Sequence, residues 1–260
     1  MVLALAAGGA AFVWSGIYDV SATDQHLWPT YWTIRTAMER AVAVRARRVE
    51  VPPLDDVRRV RRGVGLYREH CLRCHGAPGV GPEPFALGLL PVPENLAYVA
   101  RTWSAAEIYW TVRNGLKMTA MPAWQYRLGD DEMWDVVAFV KKLASLSPEE
   151  YERLRELRPP ERRAPESAPD ARRGRQAIQQ YACVTCHAIP GVVGSKAPVG
   201  PSLERIAARS FIAGVLPNTI ENMELWLIAP QDVKPGSAMP DLDMNARDAK
   251  DIAAFLATLN

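Results

Sequence analysis

The sequence predicts an all-α chain in which two similar helical units follow one another behind a helical N-terminal lead. Three observations carry this. The string Cys71-Leu72-Arg73-Cys74-His75 recurs as Cys183-Val184-Thr185-Cys186-His187, an offset of 112 residues from Cys71 to Cys183. Each string follows a helical pattern and precedes a Gly/Pro-rich loop, a Met-Pro pair and a final helical pattern. The chain has 260 residues, 48% of them hydrophobic, which suffices for two small domains with ordinary cores.

The lead comes first. Val2 to Tyr18 reads VLALAAGGAAFVWSGIY, without a charge. At about 1.5 Å per residue this stretch spans roughly 26 Å, just short of a bilayer core of about 30 Å. Residues 1–20 are therefore expected to be a membrane anchor, with Trp14 and Tyr18 at the interface. A cleavable signal peptide is the rival, although no basic segment precedes the apolar run. Residues 21–54 hold a helical pattern over 30–49, carrying Arg40, Arg45, Arg47 and Arg48. It fits an amphipathic juxtamembrane helix or a helix packed on the first unit. Val51-Pro52-Pro53 ends it.

Unit one covers residues 55–147. Its helices are expected near 55–70, 104–114 and 130–146, with Asp130 as an N-cap. Residues 148–169 form a Pro-, Glu- and Arg-rich linker, helical at first and extended afterwards. Unit two covers 170–260, with helices expected near 170–182, around Leu203, over 218–228 and over 245–259, the last capped by Asn245.

The repeated string is C-x-x-C-H, the attachment signature of c-type haem. Two thiols add to the haem vinyl groups as thioethers, and the adjacent histidine is held under the iron. The five-residue spacing lets one tight turn present two sulfurs to a porphyrin edge and an imidazole to its face. With four Cys and four His in the chain, chance yields one such string roughly once in a thousand sequences of this length. The two strings use every cysteine, leaving none for a disulfide. A zinc site is the weaker alternative, since the C-x-x-C pairs stand over a hundred residues apart and each carries an adjoining His. Two covalently attached haem c groups are expected, on Cys71 and Cys74 and on Cys183 and Cys186.

Six-coordinate iron needs two axial ligands beyond the porphyrin. His75 and His187 supply the fifth. Met121 and Met239 are the candidates for the sixth, each followed by proline, 46 and 52 residues after its histidine. A thioether stabilises ferrous iron and raises the reduction potential. Met118 competes with Met121, and Met244 with Met239. The remaining histidines, His26 beside the lead and His70 just before Cys71, are badly placed for bis-His ligation.

Each unit resembles the class I cytochrome c family. That family packs its first and last helices together, with a glycine eight residues before the first Cys and an aromatic four before it. Gly63 and Tyr67 fit, with Phe139 as the implied partner. Unit two departs: Gly174 lies nine before Cys183, and Tyr181 or Ile178 must supply the packing, with Phe255 equivalent to Phe139. The resemblance further implies a proline carbonyl that accepts the proximal His Nδ1–H. The stretch Gly200-Pro201-Ser202-Leu203 fits this in unit two, and Pro91 or Pro93 in unit one. Trp103, Trp124 and Arg101 are candidates for facing haem propionates. With the lead and the string KMTAMPAW, the chain resembles membrane-anchored dihaem cytochromes c of bacterial respiratory chains.

The implied function is electron transfer rather than catalysis, because Met/His iron leaves no open position for substrate. A donor to, or subunit of, a terminal haem–copper oxidase is the first expectation, and the cytochrome subunit of a periplasmic dehydrogenase the alternative. A dihaem peroxidase is disfavoured by the two Met-Pro pairs. Expected partners are the membrane and redox proteins, with no nucleic acid and no small-molecule substrate. Export to the periplasmic face of a bacterial cytoplasmic membrane follows from where c-type haem is attached. Charge is uneven: residues 176–260 hold six Lys/Arg against eight Asp/Glu, net −2, which leaves +4 elsewhere in a chain of net +2. Arg113, Lys117 and Arg127 flank Met121, whereas Asp232, Asp241 and Asp243 surround Met239. This pattern fits steering of different partners, or ordinary solvated surface.

Overall fold

The computed structural model describes residues 1–156, 168–194 and 199–260. The extended part of the expected linker lies outside the described residues. Those described fall into two compact units, one of residues 1–122 and 130–156, the other of residues 123–129 with those from 168 onward.

In the first unit, α1 runs over Val2–Ser15 and buries no residue. Gly16, left-handed at φ 65°, ends it, so this helix is shorter than the uncharged run that was expected to anchor. Among the described residues no helix is long and apolar enough to cross a membrane. Next come α2 (Trp28–Ala46), α3 (Val57–His70), α4 (Leu72–His75), α5 (Pro84–Leu87), α6 (Leu96–Thr102), α7 (Ala105–Asn114), α8 (Asp130–Leu143) and α9 (Pro148–Glu156). Local chemistry starts several of them. The Asp56 carboxylate accepts the Arg58 N–H ahead of α3. Ser104 and Glu107 form a capping box on α7. Asp130, Asp131 and Glu132 open α8, and Lys141 and Lys142 close it, matching the helix dipole at both ends.

α3 crosses α8, and α6, α7 and α9 complete the first core. The interface holds Val64 and Tyr67 against Met133, Val136, Val137 and Phe139, all buried. Tyr67 and Phe139 meet edge to face with centroids 5.1 Å apart, the favourable aromatic geometry. Lys141 ties α8 to the end of α6, donating to the Ala100 and Trp103 carbonyls at 2.5 and 3.0 Å. α2 divides along its length. Val42 and Ala46 are buried where it meets α7, while Trp28, Tyr31, Trp32 and Ile34 stay exposed.

The second unit has α10 (Ala171–Gln180), α11 (Ile220–Ile228), α12 (Pro230–Val233) and α13 (Ala246–Leu256). The carboxylate of Asp170, the Thr219 hydroxyl and the Asn245 amide cap α10, α11 and α13. α10 crosses α13 over a core that includes Ala177, Ile178, Leu227, Ile252 and Phe255. A two-stranded antiparallel hairpin, β1 (Phe211–Ile212) and β2 (Leu216–Pro217), is an addition to the expected all-α pattern. The helix expected around Leu203 is one 3₁₀ turn, Ile206–Ala208. Arg205 ahead of it is left-handed at φ 54°, a conformation that no α-helix passes through.

Both crossings are built alike. A Cβ on Gly63 would stand 2.0 Å from the Asp135 carbonyl oxygen, and one on Gly174 would stand 1.9 Å from that of Asp251. The arginine before each glycine grips the same aspartate. Arg62 donates from Nε and Nη2 to Asp135 at 2.5 and 3.0 Å. Arg173 donates from Nε to Asp251 at 2.5 Å and from Nη2 to Asp248 at 2.6 Å. Asp135, Asp248 and Asp251 are buried, and buried carboxylates require such partners. This paired arginine–aspartate lock was not anticipated. Its signals were present as the repeated Arg-Arg-Gly at 61–63 and 172–174, and as the Asp four residues before Phe139 and Phe255.

Candidate haem-binding sites

Each C-x-x-C-H follows directly on the helix that carries the crossing glycine. In unit one α3 ends at His70, Cys71 turns the chain, and Leu72–His75 form the short α4. The His75 N–H donates to the Cys71 carbonyl at 3.0 Å, closing one helical turn around both thiols. Arg73, between the cysteines, forms a bidentate pair with Glu83 at 2.9 Å for both bonds. The Glu83 N–H also donates to the Arg73 carbonyl, so the loop returns to the turn. Tyr67 donates its hydroxyl to the Gly76 carbonyl at 2.5 Å, joining the helix crossing to the same turn.

Unit two reaches the same arrangement with one extra residue. α10 ends at Gln180, Ala182 is left-handed at φ 54°, and Cys183–Thr185 form a 3₁₀ turn. That single residue absorbs the nine-residue spacing from Gly174 to Cys183. Ile178 lies four residues after Gly174, as Tyr67 does after Gly63, and is buried. Tyr181 is also buried and donates its hydroxyl to Asp248 at 2.8 Å.

The two histidines are held the same way. His75 Nδ1 lies 2.8 Å from the Glu94 carbonyl oxygen, and His187 Nδ1 lies 2.7 Å from that of Pro201. A carbonyl only accepts, so Nδ1 carries the proton in each case and Nε2 keeps its lone pair for a metal. Unit two uses the proline carbonyl that the resemblance implied. Unit one does not: the acceptor is Glu94, the residue after Pro93, and neither Pro91 nor Pro93 serves. A main-chain oxygen leaves no signature in the residue type, which is why that choice was not legible. Gly200 presses on the second imidazole, where a Cβ would come within 2.5 Å of His187 Cε1. Burial lowers the His75 pKa, which favours the neutral ring that ligates iron. Burial also pushes the Cys71 thiol up to about 12 and the Cys183 thiol to about 11, an environment that suits uncharged thioether sulfur. A cavity of about 500 Å³ borders His75 and is lined by Tyr67, Pro82, Leu96, Arg101 and Leu143. Arg101 also donates to the Ala144 carbonyl at 3.2 Å. The thiol pairs, the proton-bearing Nδ1 atoms and the flush glycine fit haem c. Among the described residues no three His, Cys, Asp or Glu side chains converge to hold a metal ion.

Met121 is half-buried, with its N–H donated to Thr119 Oγ1 at 3.1 Å and its carbonyl accepting the Leu116 N–H at 3.2 Å. Met118 is 89% exposed and left-handed, pointing away from any core. Met239 packs against the second core, and its carbonyl accepts Gln231 Nε2 at 2.7 Å. Met244 is buried within that core and fills it.

Covalent attachment turns of this kind on paired terminal helices define a c-type haem protein. The family model described as cytochrome c oxidase, cbb3-type, subunit III matches residues 58–140, and the model described as cytochrome c matches 171–260. The chain therefore carries two cytochrome c-type domains in tandem, and such domains hold haem c covalently. Three curated relatives share the description cytochrome c oxidase subunit 2. The one from Alkalihalophilus pseudofirmus is 39% identical over 90 residues, 34% of this chain and 25% of the relative. Those from Bacillus sp. (strain PS3) and Bacillus subtilis are 37% and 32% identical, over 27% and 26% of this chain and 20% of each relative. The chain spans a quarter or less of the length of these relatives.

Proposed function

We propose that the chain is a dihaem electron carrier that works with a terminal haem–copper oxidase, as its donor or as one of its subunits. Haem supplies a one-electron ferric/ferrous couple when bound. The protein's residues bind and tune it. Cys71 and Cys74, and Cys183 and Cys186, fasten the edges. Glu94 and Pro201 orient the proximal imidazoles through Nδ1–H. Met121 and Met239 would hold the iron through their thioether sulfurs, which stabilise the ferrous state.

The observation that carries this reading is the duplicated C-x-x-C-H turn, each with its histidine aligned by a backbone carbonyl. The oxidase assignment is supported by the description of the matching first-domain family and by the names of the relatives. The exposed apolar lead and the aromatic face at the start of α2 support attachment to a membrane, and the attachment of haem c outside the bacterial cytoplasm supports its periplasmic side.

Pyridine haemochrome analysis is expected to return two mesohaem-like groups per chain that resist acid–acetone extraction. The oxidised protein is expected to be low-spin, with a methionine–iron charge-transfer band at the red edge of the spectrum from both haems. A single group per chain, or a high-spin haem, overturns the carrier reading. Purification of the native complex with detergent tests the partner. Co-purification with a dehydrogenase instead of an oxidase overturns that part alone.

A further inference from the structure

Within the first unit, the carbonyl that orients His75 belongs to a stretch with few other supports. None of residues 90–95 is buried. Among the described residues, those from 90 to 94 make no backbone–backbone hydrogen bond. Behind Glu94, Asn95 caps α6 and accepts the Ala97 N–H at 2.9 Å. The Glu94 side chain supplies a further hold. Its Oε1 lies 3.7 Å from Nη1 of Arg35 on α2. Arg35 is itself fixed along α2, where Nε donates to Glu39 at 2.9 Å and Nη1 donates to the Tyr31 hydroxyl at 2.5 Å. α2 in turn rests on α7 through its buried Val42 and Ala46. Glu94 thus meets α2 through its carboxylate and His75 through its main-chain oxygen, 2.8 Å from Nδ1.

We propose that Arg35 is a positioning residue for His75: by holding the Glu94 side chain it steadies the carbonyl that accepts the His75 Nδ1–H, so α2 sets the donor strength of that imidazole. This rests on His75 as the proximal ligand of the first haem. The Arg35 and Glu94 side chains are 38% and 53% exposed. A pair so open to water adds little to the stability of the unit, and its removal leaves the fold standing. Its influence falls on the angle of one peptide. The bond from Nδ1–H to a carbonyl raises the basicity of the imidazole, which favours ferric iron. Loosening that bond therefore raises the potential. Loss of the Arg35 charge alone acts in the opposite sense, because a nearby cation disfavours the ferric state. The sign of the shift separates alignment from simple charge.

The test uses the full haem-loaded chain. Arg35→Ala is expected to raise one of the two midpoint potentials and leave the other in place. It is also expected to speed hydrogen exchange at His75 Nδ1 at least threefold, read by NMR on the reduced protein, with circular dichroism unchanged. Glu94→Ala, which keeps the carbonyl, is expected to do the same, and the double variant to go no further than either alone. Arg35→Lys keeps the charge and is expected to move both readouts less. Arg40→Ala removes an equal charge five residues along α2, leaves the Arg35–Glu94 pair intact, and is expected to leave the exchange rate unchanged. Unaltered potentials and exchange in Arg35→Ala, or a potential that falls, overturn the proposal. A parent chain that carries fewer than two haems by pyridine haemochrome overturns instead the site reading on which it rests.

Discussion

Gly63 and Asp135 touch backbone to backbone, close enough that a Cβ on residue 63 would stand 2.0 Å from the Asp135 carbonyl oxygen. The two helices cross at the only side chain small enough to permit it, and Gly174 meets Asp251 in the same way at 1.9 Å. Gly63→Ala must push α3 from α8. It is expected to cost ~1–3 kcal/mol, the usual range for overpacking, read as a lower denaturant midpoint with unchanged slope. Gly174→Ala is expected to do the same to the second transition.

The arginines beside these glycines are expected to differ in weight. Arg173→Ala takes the guanidinium from two buried carboxylates, Asp248 and Asp251, which keep neutral donors from Tyr181, Asn245 and the Asp170 N–H, and removal of the charged partner from a buried pair costs about 3–5 kcal/mol. Arg62→Ala is expected to cost clearly less. Arg59 remains 3.2 Å from Asp135, and the Arg62 side chain is 35% exposed, where solvent already screens the pair. Chemical denaturation of the two variants side by side checks the order.

The caps predict the acid limb of stability. The Arg173 N–H holds the Asp170 carboxylate below its ordinary pKa, and the Arg58 N–H does so for Asp56. A lowered folded pKa stabilises fully above the unfolded value, near ~3.9, and the gain is lost as pH falls through the folded value. Asp170→Asn keeps a capping oxygen but removes the titration. It is expected to flatten the loss of second-unit stability below pH ~4, as measured by thermal melts across acid pH.

Gly200→Ala tests the second proximal histidine. The added methyl would meet His187 Cε1 at 2.5 Å, so the ring must tilt and the Nδ1 bond to Pro201 must lengthen. The second midpoint potential is expected to shift while the first stays in place. Redox titration resolves the two.

The exposed Met118 provides the control for the proposed methionine ligands. Met121→Ala is expected to remove half of the methionine–iron band and lower one potential, because the thioether stabilises the ferrous state. Met118→Ala, at a position 89% exposed, is expected to leave both unchanged.

The legible parts of this molecule are the local ones. A five-residue attachment turn needs its residue types in fixed order, so Cys71 to His75 and Cys183 to His187 mark the candidate sites in the sequence. Caps such as Asp130 and Asn245 marked helix starts to within a residue. What escaped depends on distance along the chain. The short α6 offers too few turns for a periodic signal, and the hairpin at 211–217 is held by only two residue pairs. The burial of Tyr126 among residues from 177 onward has no local sign, since nothing near position 126 says which core receives it.

The acceptor for His75 is the main-chain oxygen of residue 94, an atom that all twenty amino acids carry. Evolution is consequently free to exchange the side chain at 94, provided another contact keeps the loop on its course. Searches that demand proline there will pass over relatives that perform the same task, and the path of the backbone is the surer guide to kinship at that point.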